Sequence, residues 1–289
     1  GFTYVKDRLG IAPTDELLLA SPFHYEEQAV LYVPRDMPEP QSPAFVEHVA
    51  EEVVRLLELS RGRAFVLFTS YANMNAVASL IAGRVDYPLL IQGEAPKAQL
   101  LDTFRGTPHA VLLATASFWQ GVDVAGEQLS CVIIDKLPFA SPGDPVVSAR
   151  IERLRSRGQN AFGEYQVPVA VLMLKQGLGR LIRTATDRGI LAVLDSRLLR
   201  KQYGRRFLES LPPARLVHDL DAVRSIRLPD KADPPLVVDA DAVLALAVGF
   251  QCLQLVAGRD AQAGEFGGGV DLKQPAPRDA LDIAEAGYR

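Results

Sequence analysis

Short apolar runs rich in β-branched residues alternate along this chain with segments whose apolar residues recur at helical spacing. The apolar runs lie at residues 29–33, 64–68, 89–91, 110–114, 131–135 and 190–194. Runs that are apolar throughout, rather than at every second position, are typical of strands buried on both faces. Strands that alternate with helices predict an α/β fold, in which helices cover both faces of a parallel sheet.

Helical patterns fill the intervals between these runs. The first is residues 43–59, and the last is residues 144–157, which Asp144-Pro145 opens. Between them, Ser70 can cap a helix that Gly83 can end, and another helix carries Leu100, Leu101 and Phe104. The inward face of the helix after Ser70 is Met74, Val77, Ala78 and Ile81. In parallel sheets of this kind, ligands bind beyond the carboxyl ends of the strands. We therefore expect functional residues in the loops after residues 68, 114 and 135, and in the helix before Arg183.

The composition excludes several classes of protein. With 48% apolar and 23% charged residues the chain is not disordered, and two cysteines cannot build a disulfide framework or a four-cysteine cluster. The cysteine usage favours a reducing, cytoplasmic location, and Gly1 in place of Met indicates a fragment of a longer protein. The longest apolar run, residues 242–257, is too short to span a bilayer comfortably, so we expect no membrane partner.

The net charge of −4 conceals an uneven distribution. Residues 1–149 carry 10 basic and 18 acidic side chains, residues 150–206 carry 13 and 4, and residues 207–289 carry 8 and 13. Without a motif, the central basic block favours a solvated helix face, and the alternative is a surface that binds phosphates or a nucleic-acid backbone.

One motif in the basic block has the composition of a phosphate site: Gln176-Gly177-Leu178-Gly179-Arg180-Leu181-Ile182-Arg183. If Pro168 lies in the first turn of a helix that continues into this motif, Gln176, Arg180 and Arg183 project from one face. The two glycines each weaken a helix by roughly 1 kcal/mol relative to Ala, which indicates a close approach to the backbone. Two guanidinium groups and an amide can hold a phosphoryl group, although an exposed helix with solvated arginines fits the same pattern.

Two further motifs follow predicted strands. The first is Thr115-Ala116-Ser117-Phe118-Trp119-Gln120-Gly121-Val122-Asp123, and the second is Phe68-Thr69-Ser70-Tyr71. In the first, Thr115 or Ser117 can donate to a phosphate, and Asp123 can accept from a ribose hydroxyl. Trp119 fits either a core residue or a ring that stacks on a base. The second joins a strand end to a helix N-terminus, which suits an anion but is explained equally by an N-cap at Ser70.

In their order along the chain, the three motifs resemble motifs IV, V and VI of superfamily 2 helicases, and more narrowly those of DinG/XPD-type DNA helicases. Two more segments are similar to that family, Ser21-Pro22-Phe23-His24-Tyr25 and Lys136-Leu137-Pro138-Phe139 with Pro142-Gly143-Asp144-Pro145 after it. The resemblance covers residues 1–216. The resemblance does not extend to residues 217–289, which contain a proline-bearing segment, 227–235, that is typical of a linker.

The resemblance implies that residues 1–216 are the second RecA-like domain of an ATP-dependent DNA helicase that moves 5′ to 3′, with residues 217–289 as linker and extension. It implies three catalytic residues, of which the arginines act as fingers: Arg180, Arg183 and Gln176. The implied ATP contacts are Gln120, Gly121, Asp123 and Gly179, and the implied contacts to single-stranded DNA are Thr69, Ser70, Tyr71, Thr115 and Ser117. ATP and Mg²⁺ would be bound mainly by the N-terminal RecA-like domain of the parent chain. No metal ligands are expected in this chain, and an iron–sulfur cluster in the parent stays an open question.

Neither Gly-x-x-x-x-Gly-Lys-[Ser/Thr] nor Asp-Glu-x-His occurs in the 289 residues. Because these motifs bind nucleotide phosphates and Mg²⁺, the chain alone should not hydrolyse ATP. A nucleic-acid-binding module without catalysis and an unrelated nucleotide-binding enzyme are the alternatives. The arginine pair argues against the first alternative, and the missing phosphate loop argues against the second.

Overall fold

The computed structural model describes residues 6, 9–11, 15–17, 21–115, 118, 128–226 and 228. The chain divides into two compact units, Leu19–Asp239 and a second unit of Gly1–Leu18 with Ala240–Arg289. In the described part of the second unit, Lys6 and Glu16 form an ion pair of 2.8 Å.

A seven-stranded sheet, parallel throughout, forms the centre of the unit Leu19–Asp239. Its strands are β1 (Ala29–Tyr32), β2 (Ala64–Phe68), β3 (Leu89–Ile91), β4 (Val111–Thr115), β5 (Cys131–Ile134), β6 (Gly189–Val193) and β7 (Arg215–Val217), in the spatial order β3-β4-β2-β5-β6-β1-β7. Because all strands point the same way, their carboxyl ends meet at one edge, with β4, β2, β5 and β6 side by side.

Helices cover both faces of the sheet. They are α1 (Tyr25–Gln28), α2 (Phe45–Ser60), α3 (Tyr71–Ile81), α4 (Lys97–Gly106), α5 (Pro145–Ser156), α6 (Val167–Leu178), α7 (Arg197–Arg200), α8 (Gly204–Ser210) and α9 (Leu220–Arg224), and the π-helical turn Phe162–Gln166 runs directly into α6. Helices α2, α3 and α9 pack on one face, while α4, α6, α7 and α8 pack on the other. Alternate residues of β2 serve the two cores, since Phe65 faces one and Val66 the other.

The six predicted strands are all present, each within one residue of its predicted ends. The predicted apolar face of α3 is buried, and Asp144 caps α5 by accepting from the backbone N–H groups of Val146 and Val147 at 2.8 and 3.1 Å. Helix α5 is otherwise solvated, because Ile151 is its one buried residue. The α/β prediction is thereby confirmed.

Strand β7 escaped prediction because it has three residues and two of them are exposed. It pairs with β1 and runs one residue past the predicted domain boundary at 216, and Val223 of α9 packs into the core beyond it. The boundary stays a prediction. Of the predicted linker and extension, residues 217–226 and 228 are described, and the rest lies outside the described residues. Within the described residues, no helix is long and apolar enough to cross a membrane.

Candidate functional site

Thr69 and Ser70 occupy the turn between β2 and α3. The Thr69 backbone N–H donates to Asp135 Oδ1 at 3.0 Å, and Ser70 Oγ accepts from the Asn73 backbone N–H at 3.3 Å. Ser70 is therefore an N-cap, as the simpler interpretation of the motif had it. The Thr69 hydroxyl oxygen is buried and has no hydrogen-bond partner among the described residues. A buried hydroxyl of this kind is rare, and a ligand oxygen would satisfy it.

Gln92, which follows β3, connects two other predicted contacts. Its Oε1 accepts from the Thr115 backbone N–H at 2.6 Å and from the Thr115 hydroxyl at 2.9 Å, and its Nε2 donates to the Tyr71 hydroxyl. Tyr71 is 54% exposed, so the group opens to solvent. We call Thr69, Ser70, Tyr71, Gln92 and Thr115 the hydroxyl region. The sequence analysis missed Gln92, although its place directly after a strand was a usable signal.

Asp135 is the buried anchor of the hydroxyl region. It follows β5, is fully buried, and accepts from the backbone N–H groups of Thr69 and Lys136 at 3.0 and 2.8 Å and from Asn73 Nδ2 at 3.4 Å. Burial raises the pKa of Asp135 to about 7, against the opposing effect of the Lys136 ammonium 3.9 Å away. Asp135 thus ties the turn after β2 to the end of β5.

The predicted catalytic motif does not continue as a helix. Helix α6 contains Gln176 but ends at Leu178, Arg180 lies in the turn that follows, and Arg183 lies in an irregular loop. The prediction that Gln176, Arg180 and Arg183 share one helical face is therefore wrong, although Pro168 does lie in the first turn of α6. Gly177 and Gly179 flank the last residue of α6, where their low helix propensity favours the end of the helix.

A carboxylate further along the chain replaces the missing helical hydrogen bonds. Asp187 Oδ2 accepts from the backbone N–H groups of Arg183 and Thr184 at 2.7 and 2.8 Å, and the Thr184 hydroxyl accepts from the Asp187 backbone N–H at 3.2 Å. We call residues 179–188 the arginine loop. At its start, Gly179 has an ordinary φ of −66°, and a Cβ there would lie 3.0 Å from the Lys175 carbonyl oxygen.

Gln28 holds the arginine loop from the other side. Its Nε2 lies 2.9, 3.1 and 3.0 Å from the carbonyl oxygens of Thr184, Ala185 and Asp187, and its Oε1 accepts from the His24 backbone N–H at 2.8 Å. Gln28 is 3% exposed and directly precedes β1. The sequence did not indicate Gln28, because no local pattern shows that a glutamine at the end of a short helix contacts residues more than 150 positions away.

Cations gather near Arg180. Burial lowers the pKa of Lys97, the first residue of α4, and the charge of Arg180 lowers it further. The Lys97 ammonium also lies 5.1 Å from the centre of the Phe118 ring. Two positive charges that interact at a partly desolvated place, as those of Lys97 and Arg180 do, are suited to bind a polyphosphate such as that of ATP. The other predicted ATP contacts, Gln120, Gly121 and Asp123, and the predicted DNA contact Ser117, lie outside the described residues.

The model of the family "Helicase C-terminal domain" matches residues 53–214, which include β2 to β6, Thr69, Thr115 and the arginine loop. The chain belongs to this helicase family. The match places both polar regions, the hydroxyl region and the arginine loop, inside one helicase domain, and the predicted family resemblance is confirmed.

Curated relatives narrow the type of helicase domain. The ATP-dependent DNA helicase YoaA of Escherichia coli K12 is 48% identical over 223 residues, which are 77% of this chain and 35% of that protein. The ATP-dependent helicase DinG of Mycobacterium tuberculosis H37Ra is 38% identical over 203 residues, which are 70% of this chain and 30% of that protein. This chain is a helicase C-terminal domain of the DinG/XPD type that spans about a third of the length of these relatives.

A solved XPD helicase structure resembles the fold. The match has a TM-score of 0.51 at 18% sequence identity and covers 66% of this chain and 36% of that structure. At this identity the likeness speaks for the fold alone, and it identifies the parallel sheet as RecA-like.

Proposed function

We propose that this domain is the second motor domain of an ATP-dependent DNA helicase and that it works against a first RecA-like domain, which binds most of ATP and Mg²⁺. The observation that carries the proposal is the arginine loop, which two buried polar side chains, Asp187 and Gln28, hold in a fixed shape. The relatives named ATP-dependent DNA helicase and ATP-dependent helicase support the same activity. Residues 1–216 are proposed as the motor domain and residues 217–289 as its extension.

Arg180 and Arg183 are proposed as the fingers that reach the γ-phosphoryl group across the domain interface. Mg²⁺ held mainly by the first domain would neutralise part of the phosphate charge, and the guanidinium groups of Arg180 and Arg183 would stabilise the charge that develops on the transferred oxygens. Because the loop backbone is already held, little ordering is needed when the domains close. Gln176, at the end of α6, is proposed to orient the water or the carboxylate of the partner domain.

The remaining ATP contacts are proposed from the motif alone. They are Gly179 at the start of the arginine loop, together with Gln120, Gly121 and Asp123. Lys97 is a further proposed contact, which the sequence did not indicate. It is included because the charge of Arg180 contributes to the lowered pKa of its ammonium group.

The hydroxyl region is proposed as part of the track for single-stranded DNA, with 5′ to 3′ movement. The buried Thr69 hydroxyl can donate to a phosphate oxygen, and Ser70 can do the same while it caps α3. The two donors of Thr115 are engaged by Gln92, so a phosphate would reach Thr115 through the Gln92 amide or after Gln92 turns away. Tyr71 and Ser117 complete the proposed contacts, and the arginines of α5 add attraction that salt screens.

The proposal is tested by comparing this chain with the protein that carries both motor domains. We expect ATP turnover stimulated by single-stranded DNA in the two-domain protein and none in this chain alone. We also expect the two-domain protein to unwind a duplex with a 5′ tail and to leave one with a 3′ tail intact. Steady ATP turnover by this chain, or unwinding from the 3′ tail, would overturn the corresponding part of the proposal.

A further inference from the structure

Four aromatic rings form one contiguous cluster: Phe139, Phe162, Tyr203 and Phe207. Phe139 and Phe162 are stacked, with centroids 5.6 Å apart and planes at 26°, and Tyr203 meets both of them edge-on at 5.6 and 5.3 Å. Phe207 is fully buried and anchors the group from below through contacts with Phe139 and Tyr203. We call these four residues the aromatic cluster.

The cluster is held rigidly at the carboxyl end of the sheet. Asp195, which follows β6, accepts from the Leu137 backbone N–H at 2.8 Å and forms an ion pair of 2.7 Å with Arg197. The Arg197 guanidinium in turn lies 5.7 Å from the centre of the Phe139 ring. A buried carboxylate thus fixes both the segment that bears Phe139 and the cation beside its ring.

Phe162 is the exposed member of the cluster. It remains 41% exposed although its ring stacks on Phe139. It is also the first residue of a five-residue π-helical turn, a conformation that is rare and occurs frequently at functional sites. Because the Phe162 ring stacks on Phe139 and lies in a π-helical turn, it differs from the single exposed apolar side chains that are common on protein surfaces.

Basic side chains surround the exposed ring. The Arg206 guanidinium donates to the Gly163 carbonyl oxygen at 3.2 Å, one residue from Phe162, and Arg150 of α5 lies 5.8 Å from the centre of the Tyr165 ring. Helix α5 packs on the π-helical turn through Ile151. Arg150 and Arg206 thus place two guanidinium groups beside the turn that bears Phe162, and cations in that position suit a phosphate backbone.

We propose that the aromatic cluster is a stacking site for the bases of single-stranded DNA, with Phe162 as the ring that meets the base. This rests on the proposed function and extends its DNA track. In the strand order β4-β2-β5-β6, Thr115 and Thr69 lie at the ends of β4 and β2, while Phe139 follows β5 and Asp195, which fixes its segment, follows β6. Neighbouring β-strands of a sheet are about 4.8 Å apart. A single-stranded DNA that crosses the ends of these four β-strands therefore reaches both sites within a few nucleotides. Rings flanked by cations are the features with which proteins bind single strands without reading sequence.

The experiment uses the two-domain protein, a dT oligonucleotide, and an abasic oligonucleotide of equal length, compared by fluorescence anisotropy. Wild type is expected to bind dT about tenfold more tightly than the abasic strand, because the latter keeps the phosphates and lacks the bases. Phe162→Leu keeps apolar bulk without a ring face and should lose most of that difference, whereas Phe162→Tyr should retain it. Equal loss of affinity for both oligonucleotides in Phe162→Leu would overturn the proposal.

A second measurement needs no variant. When wild type binds a strand that contains 2-aminopurine in place of one base, we expect quenched fluorescence at one register, since stacking quenches this base. If no register is quenched, or if wild type binds the abasic strand as well as dT, the stacking site is refuted. Failure of the proposed helicase function is a separate result, because it would appear as absent DNA-stimulated ATP turnover in wild type.

Discussion

The hydroxyl region and the arginine loop are two polar sites built in different ways. Thr69, Ser70 and Thr115 occupy strand ends and a helix N-terminus, so regular secondary structure sets their positions. Arg180 and Arg183 stand on irregular backbone whose shape depends on Asp187 and on Gln28. In the first site the residues stand where regular elements begin and end. In the second, the backbone takes its shape from Asp187, three and four residues from its partners, and from Gln28, more than 150 residues away.

This difference explains where motif spacing succeeds and where it fails. The spacing of Thr69 and Ser70 from the apolar run before them located both residues correctly. The spacing of Gln176, Arg180 and Arg183 implied a shared helical face, because a helix was the simplest backbone that the pattern allowed. In the fold, the Asp187 carboxylate and the Gln28 side-chain amide bind this backbone in place of helical hydrogen bonds. Variants of the two regions should therefore have separable effects.

The largest effect is expected at the arginines. In the two-domain protein, Arg183→Ala or Arg180→Ala should reduce ATP turnover by about 10³–10⁵-fold, because each removes a guanidinium from the developing charge. Affinity for single-stranded DNA should survive, and Arg→Lys should rescue poorly because an ammonium lacks the fork. Steady-state ATPase assays and anisotropy titrations measure the two quantities.

The matched control for this pair is Arg155→Ala on the solvated helix α5, which should change turnover little. Turnover at wild-type rates in the Arg180 and Arg183 variants would remove the arginine-finger assignment. A parallel loss of DNA affinity would instead show that the two regions are not separable.

The next effect concerns Gln28, which should act through the arginine loop. Gln28→Glu keeps the acceptor for His24 and replaces the donors with a carboxylate facing three carbonyl oxygens, so kcat should fall by about 10²-fold. KM for ATP and affinity for DNA should change much less. Because Gln28 positions Arg183, the double variant with Arg183→Ala should be no slower than Arg183→Ala alone.

Gln202→Glu makes the same chemical change at an exposed position and serves as the control. Multiplied losses in the double variant would mean that Gln28 affects turnover independently of Arg183, for example through general destabilisation. A thermal melt of each variant separates that outcome from the expected one.

A smaller effect is expected in the hydroxyl region. Thr69→Ala should weaken binding of single-stranded DNA by about tenfold, since it removes a hydroxyl that can donate to a charged oxygen. Thr115→Ala should cost less, because its donors are already engaged by Gln92. Turnover at saturating DNA should stay near that of wild type in both variants.

Ser79→Ala, which deletes an exposed hydroxyl on α3 that bonds only within its helix, is the reference for these titrations. Unchanged DNA affinity in Thr69→Ala would contradict the assignment of the hydroxyl region. Reduced turnover at saturating DNA would indicate that this region also serves the ATP site.

The smallest effect is a pH dependence at Asp135. Its pKa is raised to about 7 from the ordinary value of about 3.9, so between these values the folded state binds more protons than the unfolded state. The contribution of Asp135 to stability therefore increases as pH falls through 7, and the penalty of a buried charge is complete above it. The side chain of Asp135→Asn cannot ionise, so the melting temperature of this variant at pH 8 should be about 5 °C above that of wild type. The difference in melting temperature should narrow toward pH 5. A gap that is constant with pH would show that Asp135 does not titrate in this range.

The sequence alone was enough to predict the parallel sheet apart from β7, the helices α3 and α5 with their caps, and the residues of the hydroxyl region other than Gln92. These follow from apolar runs, capping side chains and strand ends, all of which act over a few residues. Where α6 ends, how Gln28 holds the arginine loop and how Asp135 anchors the turn at Thr69 became visible only in the folded structure. Gln28 and Asp135 bind backbone groups far away in the sequence, and no local pattern specifies such partners, whereas Asp187 binds backbone N–H groups three and four residues away.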